Sequence, residues 1–120
     1  MTEILKPEKD GFNTIFKSDT WQIASIKYSK EYSKENFKSM KRHLTSDEIF
    51  VLVKGSATLY TVEEGKLITT EVEKEKVYCV CKNTWHYLVV SKDALLIVTE
   101  DSDMKPEDSE TEDLECLVQK

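Results

Sequence analysis

The sequence predicts an all-β domain in which two antiparallel sheets pack together as a jelly-roll sandwich or barrel. From residue 47 onward, short runs rich in Val, Ile, Leu, Thr and Tyr are separated by charged or glycine-containing turns. Helical periodicity is absent from the same region. Strands this short need a second packed sheet to bury their apolar faces, so we expect little helix.

Eight segments have the composition and length of strands. They are Phe12 to Phe16, Trp21 to Tyr28, Glu48 to Lys54, Ala57 to Val62, Leu67 to Val72, Lys76 to Cys81, His86 to Val90 and Ala94 to Thr99. The sequence Glu-Glu-Gly-Lys at residues 63–66 predicts a hairpin turn, because Gly65 tolerates the positive φ that such turns need. The polar stretch over residues 29–40 lacks strand alternation and predicts a loop with a short helical turn.

The chain is long enough for one domain and too short for two independent cores. We predict an N-terminal arm over residues 1–11, the β-barrel domain over 12–101 and an acidic C-terminal tail over 102–120. Residues 100–120 carry a formal charge of −7, whereas the remaining body carries +1. Because its acids repel one another and it has few apolar residues, the tail should lie outside the core.

Several functional classes are disfavoured by composition. No apolar stretch approaches the roughly 18 residues that a membrane span needs, and the first ten residues contain no signal-like apolar run. We therefore expect a cytoplasmic protein without a membrane partner. Basic residues concentrate between positions 27 and 42, but Glu31 and Glu35 interrupt them, so we predict a solvated loop and no nucleic-acid binding.

The three cysteines form neither an even disulfide framework nor the Cys-x-x-Cys spacing of zinc and redox sites. We expect Cys79, Cys81 and Cys116 to be reduced thiols. Cys79 and Cys81 are two positions apart on one predicted strand and should share a face. Small buried hydrophobic residues are the expected role for this pair.

One predicted strand is apolar on both faces. Phe50 and Leu52 share the face of Glu48, whereas Ile49, Val51 and Val53 occupy the other. A small domain has few further layers with which to cover the second face. We therefore predict a homodimer.

Both histidines of the chain stand at the edge of a predicted strand. His43 comes five residues before Glu48, and His86 begins another strand after a tight turn. If the strands meet in a barrel, these three side chains form the two-histidine, one-carboxylate ligand set of a metal site with open positions. Each histidine taken alone also fits a partly exposed strand end, and Glu48 could instead extend into water.

The stretch KRHLTSDEIFVLVKG at residues 41–55 resembles the first signature of the cupin superfamily, which runs His-x-His, three or four residues, Glu, six residues, Gly. His43 matches the second histidine, Glu48 the glutamate and Gly55 the glycine. VYCVCKNTWH at residues 77–86 resembles the second signature, Pro-x-Gly-x-x-His, with His86 as its histidine. The resemblance covers roughly residues 12–100 and implies a cupin-type double-stranded β-helix.

The departures from the family pattern affect the expected ligands. Lys41 replaces the first histidine, and Cys81 and Asn83 stand where the second signature has proline and glycine. A protonated lysine has three donors and no lone pair, so it repels a divalent cation. The resemblance thus implies three of the usual four metal positions: His43, Glu48 and His86.

Three hypotheses for function follow and remain open at this point. In the first, the three residues hold iron, manganese, nickel or zinc and act on a small polar molecule, with the isomerase, dioxygenase or decarboxylase chemistry that the family includes. In the second, a metal-free pocket uses Lys41 to bind an anionic or sugar-like ligand without catalysis. In the third, the barrel is a structural module. The sequence does not decide whether the protein is an enzyme.

Overall fold

A computed structural model describes residues 1–118 and confirms the all-β prediction. Within this range, ten strands form two five-stranded antiparallel sheets. In chain order they are β1 (Gly11–Lys17), β2 (Trp21–Lys27), β3 (Ser39–His43), β4 (Glu48–Lys54), β5 (Ala57–Glu63), β6 (Lys66–Val72), β7 (Tyr78–Val80), β8 (Trp85–Val90), β9 (Leu95–Asp101) and β10 (Ser109–Asp113). One α-helical turn, α1 (Leu114–Leu117), follows the last strand.

The order of strands in each sheet shows that the chain crosses repeatedly between the two sheets. The first sheet has the order β1-β2-β9-β4-β7, and the second has the order β10-β3-β8-β5-β6. This is the jelly-roll arrangement that the sequence predicts. Among residues 1–118, no helix has the length and apolar character that a membrane crossing would require.

The hydrophobic core lies between the sheets. Phe50 and Leu96 are almost completely buried in the first sheet, opposite Leu59 and Leu88 of the second. The same cluster of buried side chains includes Ile26, Leu52, Ala57, Val72, Val80, Val90, Ala94 and Val98. The core therefore draws on both sheets, as a sandwich of short strands requires.

Two glycines mark turns that fix the strand pairing. Glu64 and Gly65 have φ values of 52° and 76°, so the β5–β6 hairpin turns through two left-handed residues as its sequence predicts. Gly55 has a φ of 77°, and a Cβ atom there would lie 2.7 Å from the Cα of Ala94. Only glycine fits at position 55 without displacing the chain.

The polar stretch before His43 is only partly a loop. Its 3₁₀ turns, Lys30–Tyr32 and Lys34–Asn36, agree with the expected short helical turn. The expectation of a loop up to residue 40 is wrong at its end, because β3 begins at Ser39. Met40 is buried in the protein, but the opposite face of β3 is polar because it borders a cavity. Apolar alternation is therefore too weak to reveal this strand.

The acidic segment contributes an edge strand to the second sheet. β10 pairs with β3 in a register that places Ser109 opposite His43. The Arg42 guanidinium donates to Glu110 through Nε and Nη2 at 2.8 and 2.6 Å. The acidic segment thus contains a strand that the sequence did not predict, although its side chains stay largely exposed, outside the core.

The predicted division into an arm, a barrel domain and a tail stays a prediction, and residues 119–120 of the tail lie outside the described range.

Hydrophobic patterning could not reveal β10, because a strand held by backbone pairing and exposed ion pairs buries no apolar row.

The cysteine prediction is half correct. Cys79, Cys81 and Cys116 are free thiols, as expected. All three are exposed, so the expectation that Cys79 and Cys81 are buried hydrophobic residues is wrong. Val80, the residue between them, takes the buried position instead. The strand alternation was correct, but its inward and outward faces were reversed.

Removal of β10 should destabilise the domain. We expect a chain ending at Asp103 to lose the β3–β10 backbone pairing, with a net cost of about 1–2 kcal/mol. A cost of that size should lower the Tm by roughly 4–8 °C. A chain ending at Asp113 keeps the strand and is the matched control. Thermal unfolding followed by circular dichroism measures both, and equal Tm values would show that β10 is not a structural part of the sheet.

Candidate metal centre and cavity

A cavity of about 560 Å³ opens between the two sheets, next to the apolar core. It is bordered by β1, β2, β3, β4, β8 and β9 and by the two 3₁₀ turns before β3. Its lining residues are Phe12, Ile26, Glu31, Tyr32, Asn36, Ser39, Lys41, His43, Glu48, His86, Tyr87, Leu88 and Glu100. The cavity thus combines apolar walls with a cluster of ionisable groups.

The position of the polar groups follows from strand alternation. In each of β4, β8 and β9, the side chains that face inward are apolar within the core. At one end of each strand the inward-facing side chain is polar, and these residues are Glu48, His86 and Glu100, respectively. Because the three strands change from apolar to polar at the same end of the sandwich, their polar side chains meet in one place. The site is therefore an extension of the core and has the rigidity of its strands.

His43 and Glu48 form the ionic contact at the centre of this cluster. His43 is the last residue of β3 and Glu48 the first of β4, and His43 Nε2 lies 3.3 Å from Glu48 Oε2. The hydrogen bond with Glu48 raises the pKa of His43, against the opposing effect of burial. Burial disfavours the charged form of Glu48, yet the two histidines outweigh it and lower the pKa of this carboxyl.

His86 is held as a neutral imidazole. Its Nδ1 lies 2.9 Å from the carbonyl oxygen of Thr84, which can only accept, so Nδ1 carries the hydrogen. Burial lowers the pKa of His86. In this tautomer Nε2 has a free lone pair, which is the state that a metal ligand needs.

A hydrogen bond at Nδ1, the nitrogen that does not face Glu48, orients the His43 ring. Its Nδ1 lies 3.0 Å from the hydroxyl oxygen of Ser109, on the strand paired with β3. One ligand atom from each of His43, Glu48 and His86 falls within 4.8 Å of the others. The structure therefore brings together the three residues singled out in the sequence, and metal binding by them stays a prediction.

Lys41 lies on the same side of β3 as His43 and lines the cavity. It pairs in register with His86 on the neighbouring strand. The structure therefore places the Lys41 side chain in the cavity lining beside the cluster.

Glu100 is a residue of the site that the sequence pattern did not reveal. It is 9% exposed, and its Oε1 accepts a hydrogen bond of 3.1 Å from Gln22 Nε2. Its Oε2 is buried with no hydrogen-bond partner among residues 1–118. Glu100 directly follows the predicted strand that ends at Thr99, so continuing the strand alternation by one residue places it inward. Glu100 lies within the predicted barrel domain, but its charge was grouped with the acidic residues 100–120.

The segment over residues 30–37 covers one side of the cavity. The Tyr87 hydroxyl lies within hydrogen-bond distance of the carbonyl oxygens of Glu31 and Ser33, and the Phe37 ring stacks on Tyr87 at 4.6 Å between centroids. Tyr32 packs against the core, and burial raises the pKa of its phenol. These aromatic contacts hold the segment over the cavity although its sequence is mostly polar.

Solved structures with the same architecture come from proteins of low sequence identity. A mutant of Bacillus subtilis oxalate decarboxylase OxdC is 13% identical, with a TM-score of 0.60 over 78% of this chain and 24% of that one. KdgF from a Halomonas species is 13% identical, with a TM-score of 0.57 over 80% of each chain. A cupin-2 domain protein from Shewanella frigidimarina is 15% identical, with a TM-score of 0.55 over 76% of this chain and 79% of that one.

The chain spans about a quarter of the oxalate decarboxylase chain but most of the two smaller proteins. No protein-family model matches the sequence, and no curated protein matches it. The structural likeness therefore establishes architecture and leaves activity open. The strand order, the cavity between the sheets and these neighbours agree: the chain has the fold of the cupin superfamily.

Proposed function

We propose that the protein binds one divalent transition metal through His43, Glu48 and His86, and a small polar molecule in the adjoining cavity. The observation that carries the proposal is the convergence of three ligand atoms within 4.8 Å at the polar end of the sandwich. Two imidazoles and a carboxylate suit iron, manganese, nickel and zinc.

The protonation states of Glu48 and His86 also fit a metal. Glu48 has a lowered pKa and is ionised near neutral pH, and His86 presents Nε2 without a proton. Ser109 and Thr84 hold the two Nδ1 atoms, as outer partners of metal-bound histidines commonly do. A metal bound here would supply a Lewis acid or a redox centre beside the cavity.

The cavity favours a small ligand with both polar and apolar parts. Its volume of about 560 Å³ is in the range of small-molecule sites. Asn36, Ser39 and Lys41 offer hydrogen-bond donors, whereas Phe12 and Leu88 provide apolar contact. Lys41 is the cationic member of this group, so an anionic group on the ligand would be recognised there.

Lys41 also supports a second candidate function, in which the cavity binds an anionic or sugar-like molecule without metal. In that case the histidines act only as hydrogen-bonding groups. Element analysis of protein purified without chelators distinguishes the two, since a transition metal near one equivalent supports the first. A co-purifying organic acid without metal supports the second.

We expect wild-type protein to bind one equivalent of metal at neutral pH, measured by calorimetric titration. His43→Ala, Glu48→Ala and His86→Ala should each lose binding, since each removes one of three ligands. Lys41→His should gain about tenfold in affinity, because it replaces a repelling cation with a fourth donor. Lys34→Ala, on the exposed second 3₁₀ turn, is the matched control.

Absence of metal binding in the wild type, together with no effect of Lys41→His, would contradict the metal proposal. Binding that survives His43→Ala and His86→Ala would show that the metal is held elsewhere.

Glu100 provides a test of the electrostatics of the cluster. Burial and the neighbouring Glu48 carboxylate raise its pKa from an ordinary value near 4.5 to about 7. Between these pH values the folded chain retains a proton that the unfolded chain has released. The contribution of Glu100 to stability is therefore complete below about pH 4.5 and is lost as the pH rises towards about 7.

Glu100→Gln should stabilise the protein at pH 7.5 relative to wild type and have much less effect at pH 4.5, because glutamine keeps the acceptor for Gln22 and cannot ionise. We expect a Tm difference between the two proteins that grows by roughly 4 °C or more across this range, equivalent to about 1 kcal/mol. Chelator-treated protein and the exposed Glu63→Gln variant serve as controls. A Tm difference independent of pH would contradict the assignment.

We also propose that the protein is a homodimer formed through the outer face of its first sheet. Ile49 and Val53 are 38% and 50% exposed, and Phe16 and Trp21 expose a further aromatic pair on the same sheet. A symmetric interface places each surface against its own copy, so these exposed apolar side chains suit contact with a second copy of this chain.

Light scattering at micromolar concentration should give twice the chain mass of 13.9 kDa. The double variant Ile49→Lys and Val53→Lys should give a monomer, because it places like charges against one another. Leu67→Lys, an exposed residue of the second sheet, should stay dimeric. A monomeric wild type would contradict this interface.

A further inference from the structure

A second set of metal-ligating side chains lies on the outside of the first sheet, away from the cavity. Cys79 belongs to β7 and pairs in register with Ile49 of β4. Continuing the same antiparallel register by one position places Asp47 opposite Cys81. Since Glu48 and Val80 point inward, the intervening alternation directs Asp47, Cys79 and Cys81 to the outer face.

The three side chains offer ligand atoms within 4.8 Å of one another, and all three residues are exposed. The sulphur atoms of Cys79 and Cys81 are 3.8 Å apart. Zinc–sulphur bonds of about 2.3 Å in a tetrahedron place two sulphurs about 3.8 Å apart, so the thiols stand at the separation that the ion requires.

Asp47 is fixed in place by its own hydrogen bond. Its Oδ1 accepts the backbone N–H of Lys82 at 2.8 Å, which ties the carboxylate to the residue next to Cys81. The site is thus built on two paired strands and the turn beside them, which limits the rearrangement that an ion would demand.

We propose that Asp47, Cys79 and Cys81 form a separate surface site for a thiophilic d¹⁰ cation, with Zn²⁺ as its ligand. Two thiolates and one carboxylate supply three positions of a tetrahedron, and water completes the fourth. Binding releases the two thiol protons to solvent, forms two metal–sulphur bonds and involves no change of oxidation state.

This site is independent of the cavity in composition and in chemistry. The cavity cluster contains nitrogen and oxygen donors, whereas the surface site contains two sulphurs. A sulphur-specific signal therefore reports on the surface site even when the cavity also holds metal. Neither proposal depends on the success of the other.

The test uses full-length protein, kept reduced by a phosphine, and titration with Co²⁺ as a spectroscopic substitute for Zn²⁺. We expect a thiolate-to-cobalt charge-transfer band that saturates at one equivalent of sulphur-bound metal per chain and disappears when Zn²⁺ is added. Cys79→Ser and Cys81→Ser should each reduce the affinity at least about tenfold and weaken the band. The double variant should lack it.

Three further variants locate the source of the charge-transfer band. Cys116→Ser should keep the full band, as should His43→Ala combined with His86→Ala. Asp47→Asn should keep the band but bind about tenfold more weakly, since it retains the acceptor for Lys82 and loses the charge. Unchanged circular dichroism and Tm in the cysteine variants confirm that these exposed positions leave the fold intact.

Absence of a charge-transfer band in the wild type would overturn the proposal, as would a full band in the Cys79→Ser, Cys81→Ser double variant. A stoichiometry of one sulphur-bound metal per two chains, accompanied by a metal-dependent increase in mass, would show a site between molecules and would also overturn it. If Asp47→Asn has wild-type affinity, the carboxylate is not a ligand and the three-residue site is wrong.

Discussion

The carboxylate of Glu48 is the constraint on which the rest of the site depends. It begins a strand whose next inward side chains, Phe50 and Leu52, are buried in the core, so it faces an environment that disfavours charge. The contact with His43 and the proximity of His86 offset this cost and lower the pKa of Glu48. Each histidine is in turn oriented through its second nitrogen, one by Thr84 on the preceding turn and the other by Ser109. One buried charge thus requires an ordered set of partners around it.

The orientation of His43 gives a role to β10, the strand formed by the acidic C-terminal segment. β10 buries almost no apolar surface, and its exposed pair with β3, Arg42 with Glu110, is a weak source of stability. Its backbone pairing nevertheless places Ser109 beside His43, so the strand completes the orientation of a cavity residue. The cover over the cavity is built in a similar way. A polar segment is held there by Tyr87 and Phe37, and its own sequence has little preference for that position.

The sequence contains enough information for the architecture and for three residues of the site, because both depend on strand alternation and on spacing along the chain. It predicts eight of the ten strands from their composition and turns, and it singles out His43, Glu48 and His86 through their positions at strand ends. It does not predict β3 or β10, since one borders a polar cavity and the other an open edge. The sequence analysis also did not identify Glu100. An acid at the end of an apolar strand resembles the first residue of a solvated tail, unless the alternation of inward and outward side chains is continued by one more position.

The ionisable groups that line the cavity favour the binding of a cation over the binding of an anion alone. Glu48 and Glu100 both face it, and one oxygen of Glu100 has no hydrogen-bond partner among the described residues. An anionic ligand alone would add a third negative group, which Lys41 would have to offset largely by itself. A divalent metal held by the proposed ligands would instead pair with the carboxylate of Glu48 and lower the cost of ionising Glu100. With the carboxylates compensated in this way, Lys41 would remain available to an anionic ligand, so a lysine at position 41 is compatible with the proposed binding of a metal and an anionic group in one cavity.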